Sequence, residues 1–133
     1  MQSEVTRESL IAGLEAGWRA GDAHALAECF APFGQCVTRR IGRGRGRRRA
    51  DSTAQGRSAL AREFERKLLA APGSVLSFTT VSYGSDQRIW TEWVISLPGP
   101  RAAALAFGVS ILEVDADGIR AATTYMHPGR KLS

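Results

Sequence analysis

Apolar residues recur with a helical period at the start of the chain. Leu10, Leu14 and Trp18 fall four apart with Ile11 beside them, while Glu4, Arg7, Glu8, Glu15 and Arg19 fill the other faces. This spacing predicts an amphipathic helix over residues 3–20, stopped by Gly21. Asp22 is placed to cap a second, short helix carrying Leu26 and Phe30, because its carboxylate can accept the orphan amides of the next turn. That helix must end before Pro32, and a short strand over 35–41 is expected after it. Leu60, Phe64 and Leu68 predict a third helix from Ser58 to about Ala71, ended by Pro72-Gly73. The period then changes to two. Strands are expected at Val75–Tyr83, Ile89–Leu97, Ala102–Val114 and Ile119–Met126, separated by the turns Gly84-Ser85-Asp86, Pro98-Gly99-Pro100 and Asp115-Ala116-Asp117-Gly118. Ile89, Thr91, Trp93, Ile95 and Leu97 share one face of their strand; Leu105, Phe107, Val109 and Ile111 share one face of the next. Helices first and hairpin-linked strands afterwards predict an α+β domain, with the helices on one face of an antiparallel sheet.

Residues 42–55 break the pattern. Gly42-Arg43-Gly44-Arg45-Gly46-Arg47-Arg48-Arg49 has no apolar period. A run of like charges repels itself and buries nothing, so 42–55 reads as an Arg/Gly-rich loop inserted between structured elements. It also accounts for the charge. The formal net charge is +5, and Arg39, Arg40, Arg43, Arg45, Arg47, Arg48 and Arg49 supply seven of the 18 basic residues; the remainder is mildly acidic, with 11 basic against 13 acidic residues.

A length of 133 residues suits one domain, with hydrophobic residues at an ordinary 44%. No stretch approaches the roughly 20 apolar residues of a membrane helix. Met1-Gln2-Ser3-Glu4 does not open a signal peptide, so the expectation is a cytoplasmic protein. Cys29 and Cys36 suit reduced, buried thiols. No Cys/His spacing suggests a metal, and no nucleophile elbow, phosphate loop or dinucleotide fingerprint occurs.

Several local patterns come in a telling order: Ala20-Gly21-Asp22-Ala23-His24-Ala25-Leu26, Phe30-Ala31-Pro32, Gly56-Arg57-Ser58-Ala59-Leu60, Glu92-Trp93, Phe107-Gly108-Val109-Ser110, and Asp117-Gly118-Ile119 leading to Thr124-Tyr125-Met126-His127. In this order they resemble the nuclear transport factor 2-like superfamily, which includes SnoaL-like polyketide cyclases, ketosteroid isomerases and limonene-epoxide hydrolases. The resemblance implies a cone-shaped, cystatin-like α+β fold, with three helices packed on a curved, mostly antiparallel sheet around a central apolar pocket. It implies no cofactor. It also implies a homodimer through the outer sheet face, which would cover Trp90, Val94 and Leu112.

The superfamily's acid–base residues do not carry over in an ungapped match. The isomerase positions hold Leu14, Thr38 and Phe107, and the epoxide hydrolase positions hold Trp93, Ile95 and Thr124. None is an acid or a competent base at neutral pH. A strand shifted by one residue would present its other face. That register would turn Glu92 and His127 inward as acid–base candidates, a carboxylate in an apolar site or an imidazole near its own pKa. Their alternative roles are a carboxylate on the outer sheet face or in a dimer interface, and a solvated histidine before Pro128-Gly129. Trp18, Thr38, Trp93, Phe107, Thr124, Tyr125 and Met126 are the expected pocket or core residues, and Arg39, Arg40 and Arg43 the expected anion contacts.

Three functional readings follow. The first is a pocket for a small apolar or oxygenated molecule, with cofactor-free proton-transfer chemistry (isomerase, cyclase, dehydratase or hydrolase) if it is catalytic. The second is a non-catalytic ligand-binding or dimerisation module that has lost the acids. The third is association of the arginine loop with nucleic acid or another polyanion through non-specific phosphate attraction, since no aromatic residue interleaves the arginines for base stacking.

Overall fold

A computed structural model describes residues 6–41, 52–84, 86–99 and 104–128. Helix α1 spans Arg7–Ala20; the Thr6 side chain caps its start by accepting from the Ser9 amide, and Gly21 ends it in the left-handed conformation. Asp22 caps α2 (Ala23–Glu28) as its position predicts, its carboxylate accepting the Ala25 amide at 3.0 Å. Gly17 lets the two helices approach, since a Cβ there would stand 3.1 Å from the Leu26 side chain. Strand β1 (Phe30–Arg40) follows directly, then β2 (Ser52–Gln55) and α3 (Arg57–Ala70).

The last four strands are β3 (Val75–Tyr83), β4 (Arg88–Ser96), β5 (Ala104–Asp115) and β6 (Gly118–Pro128). They form the expected antiparallel meander. The sheet order is β2-β1-β6-β5-β4-β3, with β1 and β6 parallel and all other pairs antiparallel. Two local expectations are corrected. The first strand begins at Phe30 and runs through Pro32, because its register with β6 shifts between Phe30 and Gln35 and relieves the ladder where proline cannot donate. Residues 52–55 form a strand on β1, with Cys36 opposite Ala54, rather than continuing the loop.

The helices pack on one sheet face. Leu10, Ile11, Leu14 and Trp18 of α1, Leu26 of α2 and Leu60 of α3 bury against Ile89, Trp93 and Ile95 of β4, Leu112 and Val114 of β5, and Ile119 and Ala122 of β6. Burial on this scale, about 25 cal/mol per Å² of apolar surface, is what orders the helices against the sheet. Two polar contacts fix their placement. Glu15 of α1 accepts the Phe78 amide at 2.8 Å, satisfying an edge-strand donor beside a register shift in β3. The Trp18 indole donates to Ser74 Oγ at 3.0 Å, and the Ser74 hydroxyl in turn donates to the Ala71 carbonyl at 2.7 Å. Among the described residues no helix is long and apolar enough to cross a membrane.

Both cysteines are buried and unpaired. Desolvation, reinforced by the neighbouring Glu28 carboxylate, lifts the Cys29 thiol to about 11. The folded state therefore holds this proton where an unfolded chain begins to lose it, so Cys29 favours folding below the ordinary thiol range and loses that contribution as pH rises through about 11. Cys29 should resist iodoacetamide at pH 8 in native protein and react in urea. Cys29→Ala should flatten the fall in stability between pH 9 and 11 measured by urea titration.

Candidate functional site

The sheet and the three helices border a cavity of about 100 Å³. Its walls are almost wholly apolar: Leu14 and Trp18 from α1, Leu26 from α2, Phe64 from α3, Leu76 and Phe78 from β3, and Trp93, Ile95, Leu112, Ile119 and Met126 from the sheet. A wider recess of about 640 Å³ adjoins it and shares Trp18, Lys67, Ile95 and Met126 with it. Thr38, Arg40, Ser52 and Arg66 also line this outer recess.

One polar relay lies in the inner wall. Strands β4, β5 and β6 bring Trp93, Ser110 and Thr124 together; Ser110 is directly opposite Thr124 in the ladder. The Trp93 indole N–H donates to Ser110 Oγ at 2.9 Å, and Ser110 Oγ and Thr124 Oγ1 are 2.8 Å apart. Below, Thr91 donates to the Ser110 carbonyl at 2.9 Å. Gly108 makes the arrangement possible. A Cβ there would meet the Trp93 ring at 2.8 Å and the Tyr125 carbonyl at 2.2 Å, so the indole occupies the space a side chain would need.

Proton counting defines what the relay offers. Ser110 and Thr124 hold two hydroxyl protons, and the bond between them uses one. The other stays available whichever residue donates, and both residues line the cavity. The inner wall thus presents one uncommitted O–H donor among mainly apolar side chains, with Lys67 shared with the outer recess. Lys67 brings the charge. Its ammonium donates to Thr38 Oγ1 at 3.3 Å and stands 3.9 Å from Glu63 Oε2.

Solved structures share this architecture. A protein with a ketosteroid isomerase-like fold from Catenulispora acidiphila, solved in complex with trimethylamine, superposes with a TM-score of 0.70 at 21% identity, covering 91% of this chain and 86% of its own. A SnoaL-like family protein from Agrobacterium tumefaciens, assigned as an isomerase, gives 0.67 at 14% identity over 90% and 95% of the two chains. A protein assigned as a polyketide cyclase from Xanthomonas campestris gives 0.59 at 16% identity over 89% and 87%. The chain has the nuclear transport factor 2-like fold. Its sequence matches no protein-family model and no curated protein.

Within this fold, Trp18, Trp93, Thr124 and Met126 face the inner cavity and Thr38 the outer recess. Phe107, Tyr125, Glu92 and His127 do not line either space. Burial alternates along β4 so that Ile89, Thr91, Trp93 and Ile95 point inward while Trp90 and Glu92 are exposed. Glu92 lies on the outer face, where it accepts from Thr80 at 3.1 Å. On β5 the inward positions are Ser110, Leu112 and Val114, so Leu112 belongs to the core and Phe107 stands outside. Phe107 is stacked there on His127, with ring centroids 5.1 Å apart. These placements correct the inward register for Glu92 and His127, the cavity position of Phe107 and Tyr125, and the outer position of Leu112. The cause is the pleat: once Trp93 and Ser110 face the helices, every odd-numbered residue from Phe107 to Ile111 must face away. Arg40 lines the outer recess, Arg39 is exposed on the next position of β1, and Arg43 lies outside the described residues.

Lys67 and Ser110 carry site chemistry that motif reading passed over. Lys67 falls seven residues after Leu60, on the apolar face of α3, where a lysine is out of place. Ser110 is a hydroxyl on the inward face of an apolar strand.

Removing the relay's acceptor should expose its energetic role. Ser110→Ala leaves the buried Trp93 N–H without a partner and should cost about 1–3 kcal/mol in urea unfolding. In Ser110→Ala/Trp93→Phe the donor is gone too, so the double variant should be more stable than the sum of the single losses. Additive losses would show that the indole–hydroxyl bond contributes nothing.

Proposed function

We propose that this protein binds a small, largely apolar molecule with one hydrogen-bond acceptor, its body in the inner cavity and its acceptor at the Ser110–Thr124 pair. The observation that carries the reading is the single uncommitted O–H in an apolar wall. In such surroundings a ligand carbonyl or ether gains a hydrogen bond that a hydrocarbon cannot, while a ligand with several polar groups would leave them unpaired. Size supports the same class. An apolar cavity of about 150 Å³ holds benzene, so a chamber of about 100 Å³ takes a short alkyl segment, with the rest of the molecule in the outer recess.

A proton-transfer enzyme is the second reading, supported by the fold neighbours assigned as an isomerase and a polyketide cyclase. The binding reading is preferred because no carboxylate or imidazole is among the described residues lining either space.

Pentan-2-one and n-pentane separate the elements of the binding reading. Fluorescence of the cavity tryptophans Trp18 and Trp93 should respond to both, with the ketone bound roughly tenfold more tightly. Ser110→Ala/Thr124→Val should remove that preference and keep pentane binding. Equal binding of the two probes by unaltered protein would eliminate the acceptor site; no response to either would eliminate the cavity as a binding site.

We also propose that two copies pair through the outer sheet face. Trp90 and Phe107 are 49% and 46% exposed there, and the register sets Trp90 beside Ile111 and Phe107 beside Val94. Val109 extends these apolar pairs around the single carboxylate Glu92, and exposed apolar surface of this kind marks an interaction surface. Sedimentation should give a dimer, and Trp90→Lys/Phe107→Lys a folded monomer.

A further inference from the structure

We infer that the junction between the two spaces is an anion site, and that the preferred ligand class is an amphipathic organic acid: a short, largely apolar body, carrying the acceptor that meets Ser110–Thr124, with a single anionic head. The inference rests on the apolar-cavity reading above and adds the charge. Lys67 is the one ionisable side chain among the described residues that lines both the inner cavity and the outer recess. A molecule whose apolar end fills the inner chamber must therefore emerge beside this ammonium.

The ammonium has capacity to spare. It has three N–H donors, and Thr38 Oγ1, at 3.3 Å, takes one. Glu63 stands 3.9 Å away, beyond hydrogen-bond range. Arg66 and Ser52 already engage that carboxylate oxygen. Two Lys67 donors are thus left without an acceptor among the described residues. The Lys67 side chain is 22% exposed, so its charge is only partly quenched by water. Arg40 and Arg66 line the outer recess, with Glu63 the counter-charge in contact with Lys67 and Arg66. The surroundings are net cationic without any contribution from residues 42–51.

A head group here meets one ammonium and a neutral hydroxyl at close range, with two guanidinium groups further out. Carboxylate and phosphate monoester share the chemistry that satisfies it. The near site has one ammonium, whose single charge matches a carboxylate better than the roughly −1.5 to −2 of a phosphate monoester.

Hexanoate, hexan-1-ol and hexyl phosphate have the same alkyl body and differ in head group, so titration calorimetry on the full chain tests the inference. Hexanoate should bind roughly tenfold more tightly than hexan-1-ol. Lys67→Met should abolish that preference while hexan-1-ol still binds. In unaltered protein the preference should shrink between about 0.1 and 1 M salt, as the screening length falls from about 10 to about 3 Å. Salt requires no substitution, so this arm stands even if Lys67→Met folds poorly. Hexyl phosphate binding above hexanoate would overturn the carboxylate assignment. Equal binding of acid and alcohol, or a preference indifferent to salt, would overturn the anion site while leaving the apolar cavity intact. Failure of all three probes to bind would overturn the cavity reading and the anion site with it.

Discussion

The placement of the Trp93 indole over Gly108 sets the geometry of the rest. An indole is a rigid slab that buries roughly 150–250 Å², and here it approaches the β5 backbone closely at Gly108. That requires a neighbour without a Cβ, and a Cβ at Gly108 would meet both the ring and the Tyr125 carbonyl. It also requires an acceptor for the buried N–H, which Ser110 supplies two residues further along the same face. With the ring and acceptor fixed, the faces of β4, β5 and β6 follow from the pleat. The hydroxyl relay, the cavity wall and the apolar outer face are three results of one packing choice.

This explains which parts of the structure were legible in the sequence. The helices were, because Leu10, Leu14 and Trp18, and Leu60, Phe64 and Leu68, repeat at a period that belongs to one helix face alone. The meander was, because its turns are marked by glycine, proline and aspartate. Strand β4 was legible to its inward face, because Ile89, Thr91, Trp93 and Ile95 alternate with Trp90 and Glu92. Strand β5 was not. It carries its larger apolar residues Phe107, Val109 and Ile111 on the outer face and Ala106, Gly108 and Ser110 on the inner one, while Leu105, beside a register shift, lines the outer recess. Volume points the wrong way along this stretch, because a strand that floors a cavity and underlies an indole must be small on the inside. The fold could be read strand by strand, but the site could not, since Ser110 matters only through Trp93 on one neighbouring strand and Thr124 on the other.

The same reasoning separates Lys67 from the arginines beside it in function. Arg40 and Arg66 reach solvent at the recess, where charge is cheap and strongly screened. Lys67 occupies an apolar helix face and reaches the joint between the chambers through its aliphatic stem, which packs while its head stays polar. Its ammonium lies 5.8 Å from the Phe64 ring centroid, within range of a modest cation–π attraction. A charge held this way keeps more of its field than one in free solvent, and a ligand leaving the inner chamber cannot avoid it.

In the proposed binding mode the two polar elements divide recognition between them. The hydroxyl relay lies in a mainly apolar wall, where an unmatched polar group on a ligand is penalised more than a matched one is rewarded, so it would select mainly by exclusion. Lys67 is partly exposed, so it would select by attraction, with an effect that depends on salt. A pocket whose described lining holds Leu14 and Thr38 but no carboxylate or imidazole can still discriminate between ligands, because in the proposed binding mode it offers a path from a charged mouth to an apolar interior.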